Sequence, residues 1–150
     1  MGIPAYHAAY VLDASVAAKW FVRHPDREKE KAFALRHRHV EGRTTLVIPE
    51  FALLELVNAI RYRPRATEAD LAAALELLQC LHLKVEPMHD ADRLRKANAI
   101  AWGYKVGVYD AAYVALAEVL GFPLITADAA LLRRFKGHSI VLPLKDLDLS

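Results

Sequence analysis

Four acidic residues, Asp13, Glu55, Asp110 and Asp128, adjoin or lie within apolar runs along the chain. Asp13 directly follows Tyr10-Val11-Leu12, and Asp128 follows Ile125-Thr126 after one residue. In open parallel α/β sheets, ligands bind where the carboxyl ends of strands meet the amino ends of helices, so both carboxylates are expected at one sheet edge. Asp110 is expected to open the helix that begins at Ala111. Each aspartate also has a bland account as a helix N-cap, because its oxygen accepts an orphan backbone N–H and favours the positive end of the helix dipole.

Glu55 resists that account. It lies between Leu54 and Leu56, where a carboxylate loses solvation unless it is partnered or stands at the exposed margin of the stripe. Anions facing one another raise each other's pKa values, and a hard cation ligated through oxygen relieves the repulsion. Four acids without a neighbouring cysteine or histidine cluster suit Mg2+ or Mn2+ better than zinc. Such a site can hydrolyse phosphodiesters through a metal-bound water of lowered pKa, with a second metal, if present, at the leaving oxygen. No nucleophilic side chain is needed.

The elements that must position these acids follow from hydrophobic period and punctuation. Strands are expected at Tyr10 to Leu12, Leu46 to Ile48, Leu83 to Val85, Leu124 to Thr126 and Ser139 to Leu142. Between them fall a helix carrying Val16, Ala17, Trp20 and Phe21, and a polar helix from about Asp26 to His39. A third helix, from about Glu50 to Tyr62, has Phe51, Leu54, Leu56, Val57 and Ile60 as its apolar stripe, and Pro64 stops it. Thr67 and Asp70 open a helix carrying Leu71, Leu75, Leu78 and Leu81; Asp90 caps one running to about Trp102. The last two are expected from Asp110 to Gly121 and from Ala129 to Phe135. This alternation predicts an α/β fold with a mostly parallel central sheet flanked by helices on both faces.

The 150 residues, 55% of them apolar, suit one domain over residues 1–150. Twenty Lys and Arg against 18 Asp and Glu give no bulk charge argument for nucleic acid. Cys80, the only cysteine, excludes an internal disulfide and, among Leu75, Leu78 and Leu81, reads as a small buried thiol. The start Met1-Gly2-Ile3-Pro4 lacks a signal-peptide pattern, and Tyr6 stands where myristoylation wants Ser or Thr. Glu118, Gly121 and Pro123 break the most apolar stretch, so no membrane span is expected and the protein reads as cytoplasmic.

Four segments, in this order, resemble the PIN domain, and within it the VapC toxins of prokaryotic toxin-antitoxin pairs. They are Val11-Leu12-Asp13-Ala14-Ser15, Pro49 to Ala59 around Glu55, Tyr109 to Ala117 opening on Tyr109-Asp110-Ala111-Ala112-Tyr113, and Leu124-Ile125-Thr126-Ala127-Asp128. The resemblance implies that Asp13, Glu55, Asp110 and Asp128 bind metal, and that the activity is metal-dependent endonucleolytic cleavage of RNA. It also implies a homodimer and a cognate antitoxin whose segment lies across the groove. Ser15, Asn58 and Thr126 match polar positions that accompany those acids and can orient carboxylates or bound water, although a cap, a solvent-facing amide and an ordinary strand residue explain them too.

Basic residues at Arg36 to His39, Arg61 to Arg65 and Arg133 to Lys136 are candidate phosphate contacts or solvated helix ends. His37, His39, His82 and His89 have no metal-ligand spacing. A surface for a dimer is sought on the helix around Leu71 to Leu81, whose one-sided patterning equally describes a core helix. Two rivals are a non-catalytic PIN-like module that binds RNA or protein, and an aspartyl-phosphate receiver or phosphatase. The second lacks the D-x-D pattern, since Ala14-Ser15 follows Asp13.

Overall fold

The computed structural model describes residues 8–21 and 26–150; the reading of residues 1–6 as carrying no export or acylation signal lies outside them. Five strands form one sheet in the order β3-β2-β1-β4-β5, with every neighbouring pair parallel. They are β1 (Ala8–Leu12), β2 (Thr44–Pro49), β3 (Lys84–Glu86), β4 (Leu124–Thr126) and β5 (Val141–Pro143). Between them run α1 (Ala14–Ala18), α2 (Arg27–Val40), α3 (Glu50–Arg61), α4 (Glu68–Leu81), α5 (Ala91–Tyr104), α6 (Val108–Leu120) and α7 (Ala129–Arg134). The mostly parallel sheet expected from sequence is thus wholly parallel among the described residues.

Strand order fixes where a site can form. The chain lays β2 and β3 on one side of β1, then places β4 and β5 on the other. Chain direction across the sheet therefore reverses between β1 and β4, and the crevice at their carboxyl ends is the natural ligand position of such a fold. Val11, Leu12, Leu46, Val47, Leu124 and Ile125 are all fully buried, as central parallel strands covered on both faces must be.

Helix α6 is buried from Ala111 through Ala117. A helix apolar all round belongs inside, and its four alanines in that run let neighbouring elements approach closely. It packs against α5, β1 and β4, so Asp110 in its first turn stands on a rigid support. Asp110 does not open this helix as expected: Gly107 is the N-cap and Asp110 the third helical residue. Val108 and Tyr109 are exposed first-turn residues, which gives them no apolar periodicity to read.

Side-chain hydrogen bonds join the remaining layers. Asp26 caps α2 by accepting from Glu28 N (2.8 Å), and Trp20 Nε1 donates to Ala32 O (2.9 Å). The His39 ring accepts from Leu46 N at Nδ1 (3.1 Å), which leaves the proton on Nε2 to donate to Leu81 O (2.7 Å). His39 therefore ties α2 to β2 and α4 as a neutral packing residue.

Two burial expectations change. Cys80 is exposed, because Ala74, Leu78 and Leu81 form the buried face of α4 and position 80 falls on its other side. On α3 the buried residues are Ala52, Leu56 and Ile60, while Leu54 is 74% exposed. The inward face is thus rotated from the expected stripe, and Glu55 stands on the accessible side. On α4, Leu78 and Leu81 are core, Leu71 is half-buried and Leu75 is exposed. No helix among the described residues is long and apolar enough to cross a membrane.

Candidate active site

Asp13 leaves β1 with its backbone N–H still bonded to Ile125 O of β4 (3.1 Å), which places its side chain in the β1/β4 crevice. It occupies the N-cap position of α1, yet its side chain makes no capping hydrogen bond. Instead Oδ2 accepts from Ser15 Oγ and Thr126 Oγ1, both at 2.7 Å, and the residue is only 5% exposed. Thr126 Oγ1 also accepts from Asp128 N (3.0 Å), and Ser15 Oγ accepts from Ala127 N (3.0 Å). Two hydroxyls thus sew the end of β1 to the loop after β4.

Asp128, by contrast, is a working cap: Oδ1 accepts from Ala130 N (2.8 Å) and Leu131 N (3.3 Å) at the start of α7. Of the three polar residues singled out beside the acids, Ser15 and Thr126 touch Asp13. Asn58 is exposed one turn beyond Glu55 on α3, and its side chain meets none of these acids.

Tyr113 is the residue that sequence reasoning passed over. Its hydroxyl donates to Glu55 Oε1 (3.0 Å) and accepts from Ala14 N (3.2 Å), linking α6 to α3 and to the residue after Asp13. Phe51 packs edge-on against its ring, with centroids 5.0 Å apart. The signal was present, since Tyr113 lies three positions after Asp110, on the same helical face. A buried tyrosine in an alanine-rich run also requires a partner for its hydroxyl.

The charges are mutually unfavourable. Burial pushes the Asp13 carboxyl above its ordinary pKa; the Ser15 and Thr126 hydrogen bonds oppose this, and the charge of Asp128 adds to it. Glu55 is also raised, by desolvation first, then by Asp13 and Asp110 against the opposing Tyr113 hydrogen bond. Its exposure means that solvent screens much of this repulsion. The Tyr113 phenol is held fully protonated, by burial and then by Asp13 and Glu55. Among the described residues Asp110 alone of the four has a counter-ion, with Oδ2 2.6 Å from Arg134 Nη1.

Each acid uses a single oxygen in these bonds: Asp13 Oδ2, Glu55 Oε1, Asp110 Oδ2 and Asp128 Oδ1. All-oxygen donors of this kind fit a hard divalent cation. They are not fully gathered, since among the described residues no three acids, histidines or cysteines stand close enough to hold one ion.

The sequence profile of the PIN domain matches residues 10–137. This chain belongs to the PIN domain family. Ribonuclease VapC3 of Pyrobaculum aerophilum is 34% identical over 128 residues, 83% of this PIN chain and 93% of that protein. Among solved structures, PAE2754 of Pyrobaculum aerophilum superposes with a TM-score of 0.62 at 25% identity, covering 94% of this chain and 93% of that one. A toxin-antitoxin complex from Klebsiella pneumoniae gives 0.67 at 16% identity, covering 92% and 99%; at that identity the likeness shows the PIN fold alone.

Proposed function

We propose that this PIN domain is a metal-dependent endoribonuclease, the toxin of a toxin-antitoxin pair, with Asp13, Glu55, Asp110 and Asp128 as its metal-binding and catalytic acids. The observation that carries the reading is Asp13: a nearly buried carboxylate at the β1/β4 switch point, held by two hydroxyls and pushed toward protonation, with no cationic partner among the described residues. Burial of an ionised group is costly without compensation, and the two hydroxyls offset only part of that cost at Asp13. Likeness to a protein named Ribonuclease VapC3 supports RNA as the substrate.

Bound by these acids, Mg2+ or Mn2+ supplies an ionisable water and charge to balance the phosphate. The chain's own groups do the rest. Ser15 and Thr126 fix the Asp13 carboxylate, and Thr126 also holds the backbone of Asp128. Tyr113 orients Glu55 through Oε1, so Oε2 is left to accept a proton from attacking water. Raised proton affinity at Glu55 favours that role.

An antitoxin protein as partner is supported by the resemblance to VapC toxins and by the 34% identity to a protein named Ribonuclease VapC3. The exposed groove lined by Phe51, Leu53, Leu54, Met88 and Leu94, beside Glu55, is the apolar surface that such a segment would cover. A homodimer remains part of this reading and is checked by sedimentation.

Purified chain, free of other proteins, is expected to cut total tRNA with Mn2+ and to stop on addition of EDTA; cleavage that continues in EDTA contradicts the reading. Tyr113→Phe frees the Glu55 carboxylate and orphans the Ala14 N–H. It is expected to lower cleavage about tenfold and stability by about 1 kcal/mol, read as a lower urea midpoint with an unchanged slope.

A further inference from the structure

Arg134 is the last residue of α7, the short helix that Asp128 caps. It reaches across to Asp110 on α6, forming its one ion pair among the described residues. An arginine cannot release its charge by losing a proton at any accessible pH, so Asp110 is neutralised until another cation takes its carboxylate. The pair is half-exposed on the arginine side, and exposed pairs are weak enough to open readily.

From this geometry we infer that Arg134 is a phosphate-binding residue parked on a metal ligand: a divalent cation that engages Asp110 displaces the guanidinium, which then binds a phosphate of the RNA beside the acids. The inference rests on the proposed nuclease reading and adds a residue and an order of events to it. Three features favour it. Asp110 is the one site acid with an ion pair to a cation among the described residues. Arg134 bonds the Oδ2 oxygen of Asp110, which leaves the approach to Oδ1 to an incoming ion before Arg134 departs. Released, the guanidinium stays tethered to the helix that Asp128 begins, and its planar fork suits two phosphate oxygens at once.

The arrangement makes two affinities depend on Arg134 with opposite signs. Loss of the arginine removes a competitor for the metal and a contact for the substrate. A residue that merely braced α7 against α6 would not separate the two.

The test compares wild type with Arg134→Met, which keeps much of the aliphatic stem, and with Arg134→Lys, which keeps the charge. Mn2+ affinity is measured by calorimetry without RNA, and the KM for total tRNA at saturating Mn2+. Arg134→Met is expected to bind Mn2+ about three- to tenfold more tightly, while its KM rises about tenfold and the salt dependence of RNA binding falls by about one phosphate contact. Arg134→Lys is expected to lie between it and wild type on both axes. Melting in EDTA checks that each variant is folded. If wild type neither binds Mn2+ nor cuts RNA, the nuclease reading itself fails. If wild type does both, unchanged affinities in Arg134→Met, a change in only one, or changes of the same sign overturn the role of Arg134.

Discussion

Asp13→Asn is expected to melt at a higher temperature than wild type in EDTA while losing RNA cleavage by more than about a hundredfold. The two effects have one cause. Asparagine keeps an oxygen to accept from Ser15 and Thr126 but carries no charge into the crevice. Its loss of activity exceeds the ~10–100-fold typical of an outer partner of a metal ligand, because Asp13 is taken to be the ligand itself.

The sign of the stability effect follows from linkage. Burial raises the folded-state pKa of Asp13 above that of the unfolded chain. Between those two values the folded state holds more protons, so stability falls as pH rises through the window, and above it the whole cost of the buried anion is present. Asparagine removes that cost. A gain of about 1 kcal/mol, roughly 2–4 °C in a chain of this size, is expected at neutral pH, shrinking as pH falls into the ordinary carboxylate range. Differential scanning calorimetry at several pH values checks it; a lower melting temperature for Asp13→Asn in EDTA at neutral pH contradicts the account.

Thr126→Val should move both properties downward. Valine retains the shape but removes the hydroxyl that donates to Asp13 Oδ2 and accepts from Asp128 N. Thr126 is fully buried, so water cannot substitute for either bond without entering the core. Leaving the Asp128 N–H and part of the Asp13 carboxylate unsatisfied is expected to cost about 1–3 kcal/mol. Mispositioning two acids at once is expected to lower cleavage by about 10–100-fold. Urea unfolding and initial rates on tRNA measure the pair of effects. Ser15→Ala removes one of the two hydroxyls on Asp13 but spares Asp128, so it is expected to fall between Thr126→Val and wild type.

Much of the fold was legible because parallel strands and their crossover helices leave strong local signals. Tyr10-Val11-Leu12 and Leu124-Ile125-Thr126 are continuous apolar runs ended by polar residues, and both lie in strands at the centre of the sheet. Edges were less legible. The last strand runs Val141–Pro143, later than Ser139 to Leu142, because residues 138–140 are taken up in the turn that His138 bonds.

Side-chain facing was the weaker part of the reading. Leu54 looked like core because apolar residues surround Glu55, but the helix presents Ala52, Leu56 and Ile60 inward. A small alanine on the buried face carries little hydrophobic signal, whereas an exposed leucine carries a misleading one. Asp13 and Asp128 were singled out by their place after strands, and Glu55 by its place amid apolar neighbours. Tyr113 and Arg134 were not given their roles because both act through long-range contacts, 58 and 24 residues from their partners Glu55 and Asp110.

Calorimetric titration of Mn2+ into the RNA-free wild type and the Asp13→Asn variant tests the central claim, that the quartet is one metal site, most directly. Saturable binding in wild type that is lost or at least about tenfold weaker in Asp13→Asn is the predicted result. Equal binding by the two, or none by a folded wild type, contradicts it.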